Sequence, residues 1–158
     1  MIARILIIAL LLSLNSCYTK ETPISLRYIL PKDSLKLIII NDNCGEWGGK
    51  EESIVVYRSV FAGPLFANYT QINKDCKTGK QTRDTNSKRG IRLNERNQQL
   101  IIECINELCE NKLSRENRPS HSGLFCQVIV TDSSIIINDF PSANWNKFNQ
   151  LRAQLEQQ

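Results

Sequence analysis

The chain runs to 158 residues, 41% of them hydrophobic and 23% charged, with a formal net charge of +4. That length fits one domain able to bury a core without metal or disulfide help, and the composition excludes a disordered chain. So small a net charge gives no electrostatic case for binding nucleic acid.

Residues Met1 to Cys17 carry one early positive charge at Arg4, an apolar run from Ile5 to Leu12, and the close Leu14-Asn15-Ser16-Cys17. A positive start, a short apolar centre and a small-residue ending describe a secretory signal. The run is too short to span a bilayer, which takes roughly 20 apolar residues. The ending resembles the lipobox of bacterial lipoproteins, with Leu14 three before the cysteine, Asn15 in the middle and Ser16 directly before Cys17. This resemblance covers only the first segment. It implies a signal peptide over residues 1–16, cleavage before Cys17, and lipid on the Cys17 thiol and the new amino group. Two or three acyl chains hold stably where one holds marginally, at about 0.8 kcal/mol per buried methylene. The expected place is therefore the cell membrane or outer membrane, lipid-anchored, facing the periplasm or the cell surface. Tyr18, where an aspartate could stand, mildly resembles outer-membrane sorting. Nucleic acid is not an expected partner there.

Residues 17–23 read as a short polar tether, and 24–158 as a single globular domain. Ile24 to Leu30 reads as a strand, and Pro31-Lys32-Asp33-Ser34 as a turn. Leu35 to Ile40 is a second strand, apolar on both faces, which predicts a central position with both faces buried. Asn41 to Gly49 breaks the pattern. Ser53 to Phe61 and Leu65 to Ile72 then form a hairpin or meander around Gly63-Pro64. From Asn73 to Arg92 the chain is polar and cationic and reads as a long loop or edge element, with seven Lys/Arg opposed by Asp75 and Asp84.

A long helix begins near Asn94, an N-cap type followed by Glu95, and should end near Lys112. Ile101, Cys104, Ile105 and Leu108 give its apolar stripe at i, i+3, i+4 and i+7. Leu124 to Thr131 and Ser134 to Asn138 read as two short strands joined at Asp132-Ser133. Ser142 is placed to cap a last helix from Ala143 to Glu156, whose stripe is Trp145, Phe148, Leu151 and Leu155. Strands, helix, strands, helix predict an α+β fold: a mostly antiparallel sheet with two helices packed on one face. The run Ile38-Ile39-Ile40-Asn41-Asp42 recurs as Ile135-Ile136-Ile137-Asn138-Asp139, which strand chemistry explains without duplication.

Besides Cys17 there are five cysteines, an odd number that leaves at least one thiol free. Cys104 and Cys109 lie on one helix about 140° apart and cannot pair while it is intact. Cys44 with Cys76 is the plausible bridge, at about 3–4 kcal/mol in the chain-entropy model. The alternative is five thiols packed as small hydrophobes.

For chemistry, the loop from Asp42 to Glu52 stands out. It gathers Asp42, Glu46, Glu51 and Glu52 around Trp47 and flexible glycines, a possible binding loop for a cation or a sugar, and Glu46 with Glu51 is a conceivable acid/base pair. Its spacing fits neither a calcium loop nor a phosphate fingerprint. His121 beside Ser120 and Ser122 invites a hydrolase reading, but triad partners come from separate elements and no G-x-S-x-G elbow exists. No C-x-x-C pair is present, so no metal and no cofactor is expected. The cationic run Lys74 to Arg92 could meet anionic lipid headgroups or an acidic partner protein; a solvated turn, a loop histidine and a solvated basic loop are the bland readings of these three features. The reading carried forward is a binding module, of inhibitor or immunity type or an accessory subunit of an envelope complex, with a protein partner. Its alternative is an envelope hydrolase using the Glu46/Glu51 loop or His121.

Overall fold

The computed structural model describes residues 26–42, 49–83, 86–116 and 120–158. Among them are seven strands: β1 (Ser34–Asn41), β2 (Lys50–Arg58), β3 (Leu65–Lys74), β4 (Gln81–Arg83), β5 (Lys88–Arg92), β6 (Leu124–Val130) and β7 (Ile136–Ser142). Two helices, α1 (Glu95–Ser114) and α2 (Asn146–Glu156), complete the α+β domain. The signal segment, the tether and Cys17 lie outside the described residues.

The sheet is antiparallel throughout and runs β4-β3-β2-β1-β6-β7, with β5 also paired to β3. β1 is central, as its apolar run predicts. Its two faces differ, however. Leu35, Leu37 and Ile39 are buried, whereas Ile38 and Ile40 are only partly covered and Lys36 is exposed. Strand alternation explains this: one face meets the helices, and the other meets only its in-sheet neighbours. The expectation of burial on both faces is corrected accordingly.

Buried positions alternate in the same phase on the neighbours, with Ile54 and Val56 on β2, Ala67 and Tyr69 on β3, and Cys126 and Val128 on β6. Both helices lay their stripes on this face. Leu100, Ile101, Cys104 and Leu108 come from α1, and Phe148, Leu151 and Leu155 from α2, with Trp145 just before it. Each such fully buried side chain removes apolar surface worth about 1.5–3 kcal/mol.

Several boundaries depart from expectation. Leu26–Leu30 is not a strand: Ile29 N–H bonds back to the Leu26 carbonyl in a turn, and Ile29 alone of that run is buried. Of the two readings of the Asn73–Arg92 stretch, the edge element holds and the long loop does not: β3 offers a free edge on which β4 and β5 both pair. Gly79 and Gly90 take positive φ there, as only glycine does cheaply. β7 begins at Ile136 and runs to Ser142, later than expected, since the turn uses Thr131 to Ile135 with Ser133 in the left-handed region. Ser142 therefore ends a strand and cannot cap the last helix, which starts at Asn146 instead of Ala143. The repeated Ile-Ile-Ile-Asn-Asp runs are not equivalent. Ile39 faces the core while its counterpart Ile136 is exposed.

The helix starts are built differently. Asn94 Oδ1 accepts from Asn97 N–H at 2.8 Å and Asn97 Oδ1 accepts from Asn94 N–H at 3.2 Å, a reciprocal box within one turn. α2 has no cap of its own at Trp145. The Glu107 carboxylate of α1 accepts instead from Asn146 N–H at 3.1 Å and Lys147 N–H at 2.7 Å.

Candidate functional site

Antiparallel pairing brings the end of β1, the start of β2 and the start of β6 to one edge of the domain, where α2 also begins. A cleft of about 260 Å³ opens there, lined by Asn41, Lys50, Glu52, Asn144, Asn149 and Arg152 over a floor that includes Ile39 and Trp145. Glu52 points to the helix side of β2, in phase with Ile54, and is nearly fully buried. A lone buried carboxylate is costly, so the site supplies two cations. Arg152 Nη1 donates to both Glu52 oxygens, at 3.0 and 3.1 Å, and Lys50 Nζ makes a close ion pair with Oε1. One negative and two positive groups leave the cluster one positive charge in excess. Around it, Asn149 Nδ2 donates to Asn144 Oδ1 at 3.4 Å and Asn144 Nδ2 to Asn146 Oδ1 at 2.7 Å, so amides form the rim. The β3–β4 turn adds exposed Lys77 and Lys80 at the same end, held by Lys74 N–H to the Gly49 carbonyl at 3.1 Å.

The carboxylates expected on one loop are dispersed. Glu51 and Glu52 belong to β2, not to the loop, and successive strand residues face opposite ways, so Glu51 lies on the sheet's helix-free face beside Ile40 and Ile72. Asp42 accepts from Gly123 N–H at 2.7 Å and so joins the end of β1 to the start of β6. Glu46, Trp47 and Cys44 lie outside the described residues. His121 is exposed, and the neighbouring Ser120 hydroxyl donates to the Ser122 carbonyl at 2.5 Å. The sequence signal that finds Glu52 is present, but Arg152, one hundred residues away, carries no local mark of its role.

Cys76 is disulfide-bonded, and its partner lies outside the described residues. Cys104, Cys109 and Cys126 are free thiols. Burial, with the nearby Glu107 and Glu103 carboxylates, raises the Cys104 pKa far above the usual thiol range. Burial pushes Cys126 to about 11, against a hydrogen bond with Ser142 that lowers it. Neither is a thiolate at neutral pH, so neither is poised as a nucleophile. A second buried carboxylate, Asp139, is fully enclosed and pairs with Arg115 Nη1 at 2.9 Å; Arg115 also bonds the Pro141 carbonyl. That pair ties the end of α1 to β7.

Among the described residues no group of His, Cys, Asp and Glu is placed to hold a metal, and no helix is long and apolar enough to cross a membrane. No protein-family model matches the chain, and neither a curated protein nor a solved structure is similar to it.

Proposed function

We propose that the chain is a lipid-anchored cell-envelope lipoprotein, attached through Cys17, that works by binding a partner protein at the polar end of its sheet. The inhibitor or immunity type and the accessory subunit of an envelope complex are the two forms this takes. The observation that carries the binding reading is the Lys50–Glu52–Arg152 cluster. Its one carboxylate is held by two cations, which makes it a rigid scaffold for recognition. The surplus positive charge, the amide rim and the adjacent lysines suit an acidic group on a partner, whose approach they would steer. The rival reading, a hydrolase using Glu46, Glu51 or His121, has Glu51 on the other sheet face from this cleft and His121 on an exposed loop.

The test is capture from detergent-solubilised membranes by the full chain, alongside the mass of its N-terminal peptide. An acylated Cys17 and a captured protein lost on Lys50→Glu with Lys77→Glu, but kept when Glu46, Glu51 and His121 are all replaced by glutamine, support binding. Turnover of a small molecule that the triple substitution abolishes would replace this reading with the hydrolase.

A further inference from the structure

The sheet has two ends, and they differ in chemistry. At the end where β1 begins, β2 ends and β6 turns into β7, the surface carries apolar side chains that nothing among the described residues covers. Of the eight large hydrophobic residues that stay exposed among the described residues, six stand here: Tyr28, Leu30, Val60, Phe61, Ile135 and Ile136. Tyr28 and Phe61 are 94% and 79% exposed. Monomeric proteins seldom gather exposed apolar groups this way without a surface to meet. A trough of about 460 Å³ runs between Leu26, Tyr28, Leu30, Ile105 and Ile135, with Asp33 and Asp132 also in its lining, and Arg27 and Lys32 are exposed in the turn that forms one wall.

This end also holds the first of the described residues. Leu26 begins the described structure, and Arg58 fastens it there, with Nη2 donating to the Leu26 carbonyl at 3.1 Å and Nη1 to the Gly63 carbonyl at 3.2 Å. Eight residues lie between Cys17 and Leu26, nine Cα-to-Cα steps with a reach of at most about 30 Å. The eight residues of β1 alone span about 26 Å. An anchor at Cys17 therefore brings this end to the bilayer easily, whereas the opposite end would reach it only with the tether drawn out along the whole sheet.

We infer that this end of the domain seats on the lipid bilayer, with Tyr28, Leu30, Val60, Phe61 and Ile135 in the boundary between headgroups and acyl chains. The inference rests on the anchoring proposed above. Aromatic residues favour that depth, and Arg27 and Lys32 can extend to anionic headgroups while their stems stay in the apolar layer, offsetting Asp33 and Asp132. The patch adds orientation to an attachment the acyl chains already hold. With this end down, the Lys50–Glu52–Arg152 cleft is turned away from the membrane.

The experiment uses the full chain, reconstituted in vesicles of phosphatidylethanolamine and phosphatidylglycerol, with and without brominated acyl chains. The reporters are Phe61→Trp and, at the far end, Lys77→Trp, each read against the unsubstituted protein. Brominated lipid should quench the added Phe61→Trp emission about twofold or more and leave Lys77→Trp unchanged, as burial some 5–10 Å into the interface requires. Adding Tyr28→Glu and Leu30→Glu should abolish that quenching without releasing the acylated protein. Equal quenching of both reporters, quenching that survives the two glutamates, or a blue-shifted but unquenched Phe61→Trp, the sign of a second copy on the patch, would each overturn the inference. The mass of the Cys17 peptide reads the anchoring separately. If it is unacylated, anchoring fails by itself, and quenching that the two glutamates abolish still establishes the seat.

Discussion

The two helices begin in opposite ways. α1 is started by its own residues, Asn94 and Asn97, four positions apart counting both. α2 is started by Glu107, a side chain of the other helix, which accepts from two of its first backbone N–H groups. Both arrangements satisfy donors that the helix itself cannot, and both place negative charge or a carbonyl dipole at the positive end of the helix. The difference is in what each depends on. The first needs only local sequence, whereas the second exists only when α1 and α2 are already packed. α2 is therefore an element whose start is a tertiary contact.

The strongest way to break this contrast is at Trp145. It is fully buried, stacks on Phe148 with ring centroids 5.1 Å apart, and donates from Nε1 to the Cys104 carbonyl of α1 at 2.8 Å. Trp145→Ala should cost about 3–5 kcal/mol in urea unfolding and remove the surface on which α2 docks. Loss under 1 kcal/mol would mean that α2 holds its place without it. Next comes the pair of caps. Glu107→Ala removes two acceptors and should cost about 1–2 kcal/mol, and Asn94→Ala about 1 kcal/mol. Only the first should depend on packing, so combining it with Trp145→Ala should add little, while Asn94→Ala should add in full. Additivity in both cases would show that the caps do not differ in kind.

The smallest effect concerns Lys147, in the first turn of α2, which pairs with Glu103 at 2.7 Å. The hydrogen bond from Lys147 lowers the Glu103 pKa below its usual 4.5, against a smaller burial effect, and the same bond raises Lys147 above 10.5. A lowered carboxylate pKa stabilises the fold above its ordinary value and loses that contribution as pH falls through the folded value. A raised lysine pKa does the reverse, losing its contribution as pH rises through the folded value. The pair thus contributes fully between those limits, and Lys147→Met should flatten the acid limb of a stability–pH curve below about pH 5. An unchanged acid limb would show the pair to be inert.

Legibility in the sequence follows the same division. The stripe Ile101, Cys104 and Leu108 and the Asn94 cap depend on spacing within one helix and were readable, as were the central position of β1 and the stripe of α2. The start of α2 was not, because Ser142 is a good cap type that β7 had already taken, and the group that does the capping sits on another element. Ile24 to Leu30 has strand composition, but β1 is already flanked by β2 and β6, so no central edge remains for it to join. The polar Asn73–Arg92 stretch has no apolar alternation apart from Ile91, yet an open edge of β3 recruits it by backbone pairing alone. At the candidate site, Glu52 was visible as one of several carboxylates. Its selection over Glu51 depends on strand phase, a matter of one residue, and its partner Arg152 is fixed only by the packing of α2.

Arg58 has a mechanical consequence. Its guanidinium clasps the Leu26 carbonyl and the Gly63 carbonyl together, although the described residues before β1, 26–33, belong to no strand. Any pull arriving through the leading end of the chain meets this clasp before it meets β1. The load is then divided between two neighbouring strands, so the sheet is strained as a sheet and not unzipped from one thread.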